Sequence, residues 1–348
     1  LAAATAFSAR MAARAMTAEG EARFEARTSN LLAVQSLLER GKATDARAIL
    51  DGMPEDERGW VWQHLRLRTD DSIGRAGGFQ DLASVATNEA SPFVVTLTKS
   101  GVVEVWSNDL RSRRTLPGAS AVSIAMAPDG RRLALLGAKP EVHVIALDSN
   151  EVTASFGGQW TGLAHATWLP DGSTLLCSTR TGDENNLLLL DPEAATSRSV
   201  PLAGRARSIA VSPDGERVVY STHSDSTVRV IQLDGTSIME LSAFEAGADV
   251  SDVDVSADGA WIVAATQDGR IRRWRSSDGS TSSLDARRGG WILKPLDDGR
   301  LLSGADDHSI RLIDFAAKQD VAIFNGLTGR ATSIAHAGSK FYAASPHE

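Results

Sequence analysis

Cysteine occurs once in 348 residues, at Cys177, so no intrachain disulfide can form and no cysteine cluster can bind a metal. That residue lies in the apolar run Thr174-Leu175-Leu176-Cys177 and reads as a small buried hydrophobe. Lack of disulfides fits a reducing compartment without excluding an exported one. Long apolar runs are missing too: no stretch reaches the ~18 residues of a membrane-spanning helix. The opening Leu1-Ala2-Ala3-Ala4-Thr5-Ala6-Phe7-Ser8-Ala9 carries no charge before Arg10. It fits the tail of a spanning helix or signal segment, or a plain Ala-rich helix start. The chain opens on Leu1, so an upstream segment is expected.

Catalytic motifs are absent as well. There is no Gly-rich nucleotide loop, no His-Arg-Asp, no Asp-Phe-Gly, no Gly-x-Ser-x-Gly and no His-Glu-x-x-His. Gly41-Lys42 lacks the context of a phosphate loop. The seven His are scattered singly, without ligand spacing. These absences lead us to expect no catalytic, cofactor or metal site in this chain. The net charge of -8 resides in the body. Residues 1–70 hold 10 basic and 10 acidic side chains, leaving 26 and 34 beyond them. A net-acidic body repels phosphate, which disfavours nucleic acid as a partner.

What is present is a repeat. Pro128-Asp129-Gly130 recurs as Pro170-Asp171-Gly172 and Pro213-Asp214-Gly215, and more weakly as Ala257-Asp258-Gly259 and Asp297-Asp298-Gly299. The Asp positions are spaced by 42, 43, 44 and 40 residues, the length of one four-stranded propeller blade. Each turn is flanked by apolar strands, as in Ser208-Ile209-Ala210-Val211 and Arg217-Val218-Val219-Tyr220, and Pro-Asp-Gly between them is hairpin chemistry, since Pro presets φ and Gly accepts φ > 0. Six full repeats and a truncated seventh follow from this count. The fold expected is all-β, a seven-bladed β-propeller with an incomplete last blade, over residues 71–348. Ser72-Ile73-Gly74-Arg75-Ala76 is positioned to supply an outer strand to that last blade. The native chain is expected to continue past Glu348.

This pattern resembles the WD-repeat family across roughly residues 72–348, nearest in Val253 to Trp274. The resemblance implies that the turn aspartates Asp225, Asp268 and Asp307 brace their blades through a network that also uses a His, a Ser/Thr and the Trp. The sequence departs from the family here. Trp106 and Trp274 are followed by Ser107 and Arg275, no Trp-Asp dipeptide occurs, and no Gly-His precedes a first strand. The network should be incomplete, and the blades should lean on apolar packing.

Residues 1–70 have a short α-helical texture. Leu31, Val34 and Leu38 fall at helical spacing before Gly41; Thr44 and Asp45 are placed to cap a helix carrying Ala46, Ile49 and Leu50. Pro54 with Glu55, Asp56 and Glu57 opens a third, with Trp60, Val61 and Leu65 as its buried side. Arg58-Gly59-Trp60-Val61-Trp62-Gln63-His64-Leu65 resembles the Arg-Gly-Trp-Glu-Trp-Arg-His-Leu signature that joins a helical hairpin to the propeller in bacterial WD-repeat proteins. Many of these are membrane-anchored serine/threonine kinases of the planctomycete type. The resemblance implies the order kinase domain, membrane helix, helical linker, propeller. It places the propeller either outside the cytoplasm behind an upstream anchor or in the cytoplasm.

The expected function is therefore a non-catalytic, monomeric protein-interaction or sensing propeller, the C-terminal regulatory part of a larger protein. The alternatives are a lactonase- or hydrolase-like propeller enzyme and a freestanding scaffold. The candidate interaction face is the end that carries the family's turn aspartates: Trp160, Asp183, Glu184, Asn185, His223, Asp225, Asp268, Asp307 and His308. Rich in carboxylate, it suits a basic peptide or protein loop; the competing reading makes Asp225, Asp268 and Asp307 structural braces. Arg270, Arg272, Arg273 and Arg275 alternate along one strand and should split between its two faces.

Overall fold

The computed structural model describes residues 20, 22–23, 25–38, 40, 42–67, 69, 81–116, 120–158, 160, 162–181, 184–222, 226–234, 237–285, 290–296, 299–338 and 340–345. The chain divides into two compact units, Leu1–Ile73 with Phe324–Gly326, and Gly74–Ile323 with Leu327–Glu348.

The larger unit is a ring of antiparallel meanders. Six four-stranded sheets follow one another, spanning residues 82–115, 121–157, 166–201, 206–245, 250–285 and 290–324. We number these blades 1 to 6. A two-stranded sheet, Ser333–Ala337 with Lys340–Ala344, comes last. Among the described residues the blades thus number six, not the seven expected, because the last repeat contributes only two strands. Ser72–Ala76, expected to add an outer strand there, lies outside the described residues. The small sheet closes the ring. Ser333 Oγ donates to Val85 O at 3.2 Å, Thr332 Oγ1 to Leu82 O at 3.3 Å, and Tyr342 OH to Asn108 O at 3.0 Å.

Burial within a blade explains its sequence. The second strand of each sheet is packed on both faces by the neighbouring blades, so it reads as a continuous apolar run. Arg217–Thr222 and Trp261–Thr266 are buried at every position after their first residue. The fourth strand lies on the rim, and in Thr281–Asp285 exposed and half-buried residues alternate. The apolar cores run between blades. One joins Ala134, Val144 and Trp160 to Trp168, Leu175 and Cys177; another joins Val219 and Val230 to Val253, Ile262 and Trp274. Cys177 is fully buried there, as expected.

First strands carry a β-bulge in blades 1, 2, 4, 5 and 6, at Leu82/Ser84, Ala121/Ser123, Ala206/Ser208, Val250/Asp252 and Gly290/Ile292. A bulge re-aims the side chain that follows it. Ser208 Oγ thereby donates to Asp252 Oδ1 at 2.7 Å, and Leu293 N donates to Asp252 Oδ2 at 2.8 Å. One carboxylate thus ties the first strands of blades 4, 5 and 6.

The smaller unit is helical, with α1 at Ala43–Asp51, a 3-10 turn at Glu55–Glu57 and α2 at Trp60–Leu67. Its core is Val34, Ala46, Leu50, Met53 and Leu65, with Leu31, Leu38, Ile49 and Trp62 against it. Details differ from the sequence expectation. Helix α1 starts straight after Lys42 without a side-chain cap, and Pro54 opens the 3-10 turn instead of a helix. Val61 is exposed, the Trp60 side chain lies outside the described residues, and Trp62 Nε1 donates to Leu50 O at 2.7 Å. Arg58 lies over the same indole at 5.3 Å and donates to Met53 O and Asp51 O.

Candidate functional site

In these meanders the turns between second and third strands share one end of the ring with the links between blades. The Pro-Asp-Gly turns lie at the other end. The candidate face belongs to the first end. Asp183, His223 and Asp225 lie outside the described residues. Glu184 and Asn185 open the third strand of blade 3, Glu184–Asp191. Trp160 is 8% exposed and packed into the core beside Trp168; any Cβ at Gly158 would strike its ring.

Asp268 and Asp307 serve their own blades. Thr266 Oγ1 donates to Asp268 Oδ1 at 2.6 Å, and Arg272 forks onto the carboxylate at 3.1 and 2.7 Å. The Arg272 hydrogen bond, above all, holds the Asp268 carboxyl well below the usual carboxylate range, against its partial desolvation. Asp307 repeats the device. Burial pushes its carboxyl up, but hydrogen bonds from Ser309 and Arg311 outweigh this and bring it below normal. Arg311 spans Asp307 and Asp320, the latter at 2.7 Å. His308 occupies the left-handed region beside it, with φ 61°. Asp268 and Asp307 thus each accept from a Ser or Thr and from an Arg four residues on, an arrangement outside the family pattern. The sequence signal for it is the four-residue spacing Asp225/Arg229, Asp268/Arg272 and Asp307/Arg311.

The Pro-Asp-Gly end has its own regularity. The Pro of one turn packs on the Gly of the next blade's turn. Pro128 Cδ lies 3.7 Å from where a Cβ would stand at Gly172; the distance is 3.5 Å for Pro170 and Gly215, and 3.6 Å for Pro213 and Gly259. Arginines bolt the same joints. Arg132 donates to Gly172 O at 3.0 Å and holds Asp129 at 2.5 Å; Arg217 donates to Gly259 O at 3.5 Å. Between blades 3 and 4 Thr174 stands in place of the Arg and the Pro-Gly contact remains; between blades 5 and 6 both devices are missing. Ala257 replaces Pro, Trp261 replaces the Arg, and nothing lies within 4 Å of a Cβ at Gly299.

A cleft of about 310 Å³ opens at this joint, lined by Trp261, Arg273, Arg300, Asp314 and Phe315 among others. Strand Arg270–Arg275 splits as expected. Arg272 faces Asp268, while Arg273 and Arg275 share the opposite face. The Arg273 guanidinium lies between two rings, 4.0 Å from Trp261 and 4.2 Å from Phe315, and Arg275 lies 4.8 Å from Trp261. The sequence signal for this cleft is the change from Pro-Asp-Gly to Ala257-Asp258-Gly259 followed by Trp261.

Near the ring's centre, burial raises the Asp252 carboxyl to about 6, although the residue keeps some surface open to solvent. Its oxygens receive Ser208, Val253 N and Leu293 N. Among the described residues no group of three or more His, Cys, Asp or Glu is placed to hold a metal, and no helix is long and apolar enough to cross a membrane.

Residues 235–275 match the family described as WD domain, G-beta repeat. The matched stretch covers the fourth strand of blade 4 and the first three of blade 5. No curated protein matches the chain.

Proposed function

We propose that this chain is a polypeptide-binding propeller, the non-catalytic regulatory part of a larger bacterial protein such as a membrane-anchored serine/threonine kinase. The match over residues 235–275 and the ring of blades together support a WD-repeat propeller, a fold consistent with a protein-interaction role. The observation that carries the reading is the interrupted joint between blades 5 and 6. From blade 2 to blade 5 each joint keeps its Pro-Gly contact, and two of the three add an Arg bolt; at the joint of blades 5 and 6 the same positions hold Ala257, Trp261 and an open cleft. Arg58-Gly59-Trp60-Val61-Trp62 supports the kinase half of the reading.

Panning a displayed random-peptide library on the immobilised full chain tests the binding half. Peptides enriched on the folded chain over the heat-unfolded chain support it, and no enrichment overturns it. Translating the DNA upstream of Leu1 tests the other half. An in-frame kinase domain is the expected result; a start codon close to Leu1 without one refutes it.

A further inference from the structure

We propose that the cleft between blades 5 and 6 receives a carboxylate, an Asp or Glu side chain of a bound polypeptide, on the guanidinium fork of Arg273. The inference rests on the polypeptide-binding reading above and adds the chemistry of what is bound.

Arg273 is oriented from three sides. Trp261 and Phe315 stack on it, and its Nε donates to Ser282 Oγ at 3.0 Å. Those contacts fix the plane and leave the terminal NH1/NH2 edge, which meets no acceptor among the described residues. An edge with two parallel donors matches the two oxygens of a carboxylate. Two flanking rings favour a planar group lying in the guanidinium plane over a thicker tetrahedral phosphate.

The charge balance points the same way. Arg275 stands two residues along on the same strand face and adds like charge across Trp261. Neither arginine forms an ion pair with a described carboxylate. The carboxylates that line the cleft cap their own turns. Asp314 Oδ1 accepts from Ala317 N at 2.9 Å, and Asp258 Oδ1 accepts from Ser256 Oγ at 2.6 Å and Ala260 N at 3.0 Å. Desolvation and the nearby Arg275 push the Arg273 guanidinium below its ordinary range, while Asp314 only partly offsets this. An incoming carboxylate relieves that imbalance.

The internal repeat supplies an independent argument. Blades 2 and 4 place an Arg where blade 5 has Trp261, and those arginines tie adjacent turns together. Blade 5 gives up the tie and gains a stacking wall for Arg273. Blade 3 also lacks the Arg, with Thr174 in its place, but keeps its Pro-Gly contact; the joint of blades 5 and 6 loses both and sets an aromatic ring against Arg273 instead.

The test is peptide display against the full chain, with Arg273→Gln and Arg275→Gln as comparison surfaces. Peptides enriched on the native chain should carry Asp or Glu at one shared position. A synthetic copy should lose at least tenfold in affinity when that residue becomes Gln, and the same on Arg273→Gln. Its phosphoserine counterpart should bind no better than the Glu form. Enriched peptides without an acidic position, or with equal affinity for both variants, overturn the carboxylate site while leaving peptide binding intact. Tighter binding of the phosphoserine form overturns the choice of carboxylate. No enrichment on the native chain overturns both readings. Arg275 is exposed, so Arg275→Gln keeps the test valid if Arg273→Gln unfolds, and it should weaken binding severalfold.

Discussion

Gly130 and Gly299 occupy equivalent turns with nearly the same backbone, φ 68° and 79°, yet alanine should affect them very differently. Left-handed backbone costs a residue with a Cβ about 1–2 kcal/mol, and both variants share that cost. At Gly299 nothing stands within 4 Å of the new methyl group, so the backbone cost is the whole effect. At Gly130 the methyl would fall 2.5 Å from Ala90 C and from Ser91 Cα, which are backbone atoms of blade 1. Ordinary carbon contacts lie near ~3.5–4.0 Å. The two blades must separate by about 1 Å or the turn must deform, and overpacking of this kind adds about 1–3 kcal/mol. A unit of this size loses about 2 °C per kcal/mol. Gly299→Ala should therefore lower Tm by about 2–4 °C, and Gly130→Ala by roughly twice that or more. Thermal melts followed by circular dichroism measure both, with urea midpoints at constant m as a check. Equal losses would refute the claim that the Pro-Asp-Gly glycines are required by the neighbouring blade as well as by their own turn.

Asp252→Asn should flatten a pH dependence. Its carboxyl is raised from 3.8 to about 6, so its contribution is fully present below about pH 4 and lost as pH rises through about 6, by up to ~3 kcal/mol. Asn imitates the protonated acid, with Oδ1 toward Leu293 N and Nδ2 toward Ser208 Oγ, which itself accepts from Val253 N at 3.2 Å. The variant should gain on the native chain between pH 4 and 7; parallel curves would discount the burial argument. Asp268 has the opposite sign, since its depressed pKa gives stability at neutral pH that is lost on acidification below about 4. A double-mutant cycle of Asp268→Asn with Arg272→Met should show about 1–2 kcal/mol of coupling at pH 7 that fades in acid. The Cys177 thiol is fully buried and its pKa pushed up by burial. An aromatic disulfide reagent should label it at least ~1,000-fold more slowly in buffer than in denaturant, since labelling then needs an opening of more than about 4 kcal/mol. Labelling at the denatured rate would mean that blades 2 and 3 are not packed around it.

The blades were readable because their turns impose chemistry: each needs a Gly at φ > 0, and Asp129, Asp171, Asp214, Asp258 and Asp298 mark that need every forty-odd residues. Blade 1 has no such tripeptide. Contacts between blades were harder to see, since partners such as Arg132 and Gly172 stand forty residues apart in sequence and meet only through the ring. The Arg272 and Arg311 clamps stand four residues after their turn Asp, outside the positions where the family pattern places its bracing residues. Trp160 read as a possible surface anchor because single-residue hydrophobicity does not tell a loop aromatic from one folded back over Gly158. The cleft was announced by a weakened repeat, Ala257-Asp258-Gly259-Ala260-Trp261, where departure from the period was more informative than the period.

The matched repeat, residues 235–275, runs from the rim strand of blade 4 through three strands of blade 5, so genetic copies and folded blades are offset like courses of brick. Each covalent unit finishes its predecessor's sheet before building most of its own. Duplicating such a unit adds a blade without leaving a bare sheet at the junction. Excising one alone yields three strands and a stray fourth that belongs to a missing neighbour. Insertions and circular permutations that respect the sheets, with breaks in the links between blades, should be tolerated better than those that respect the sequence repeat.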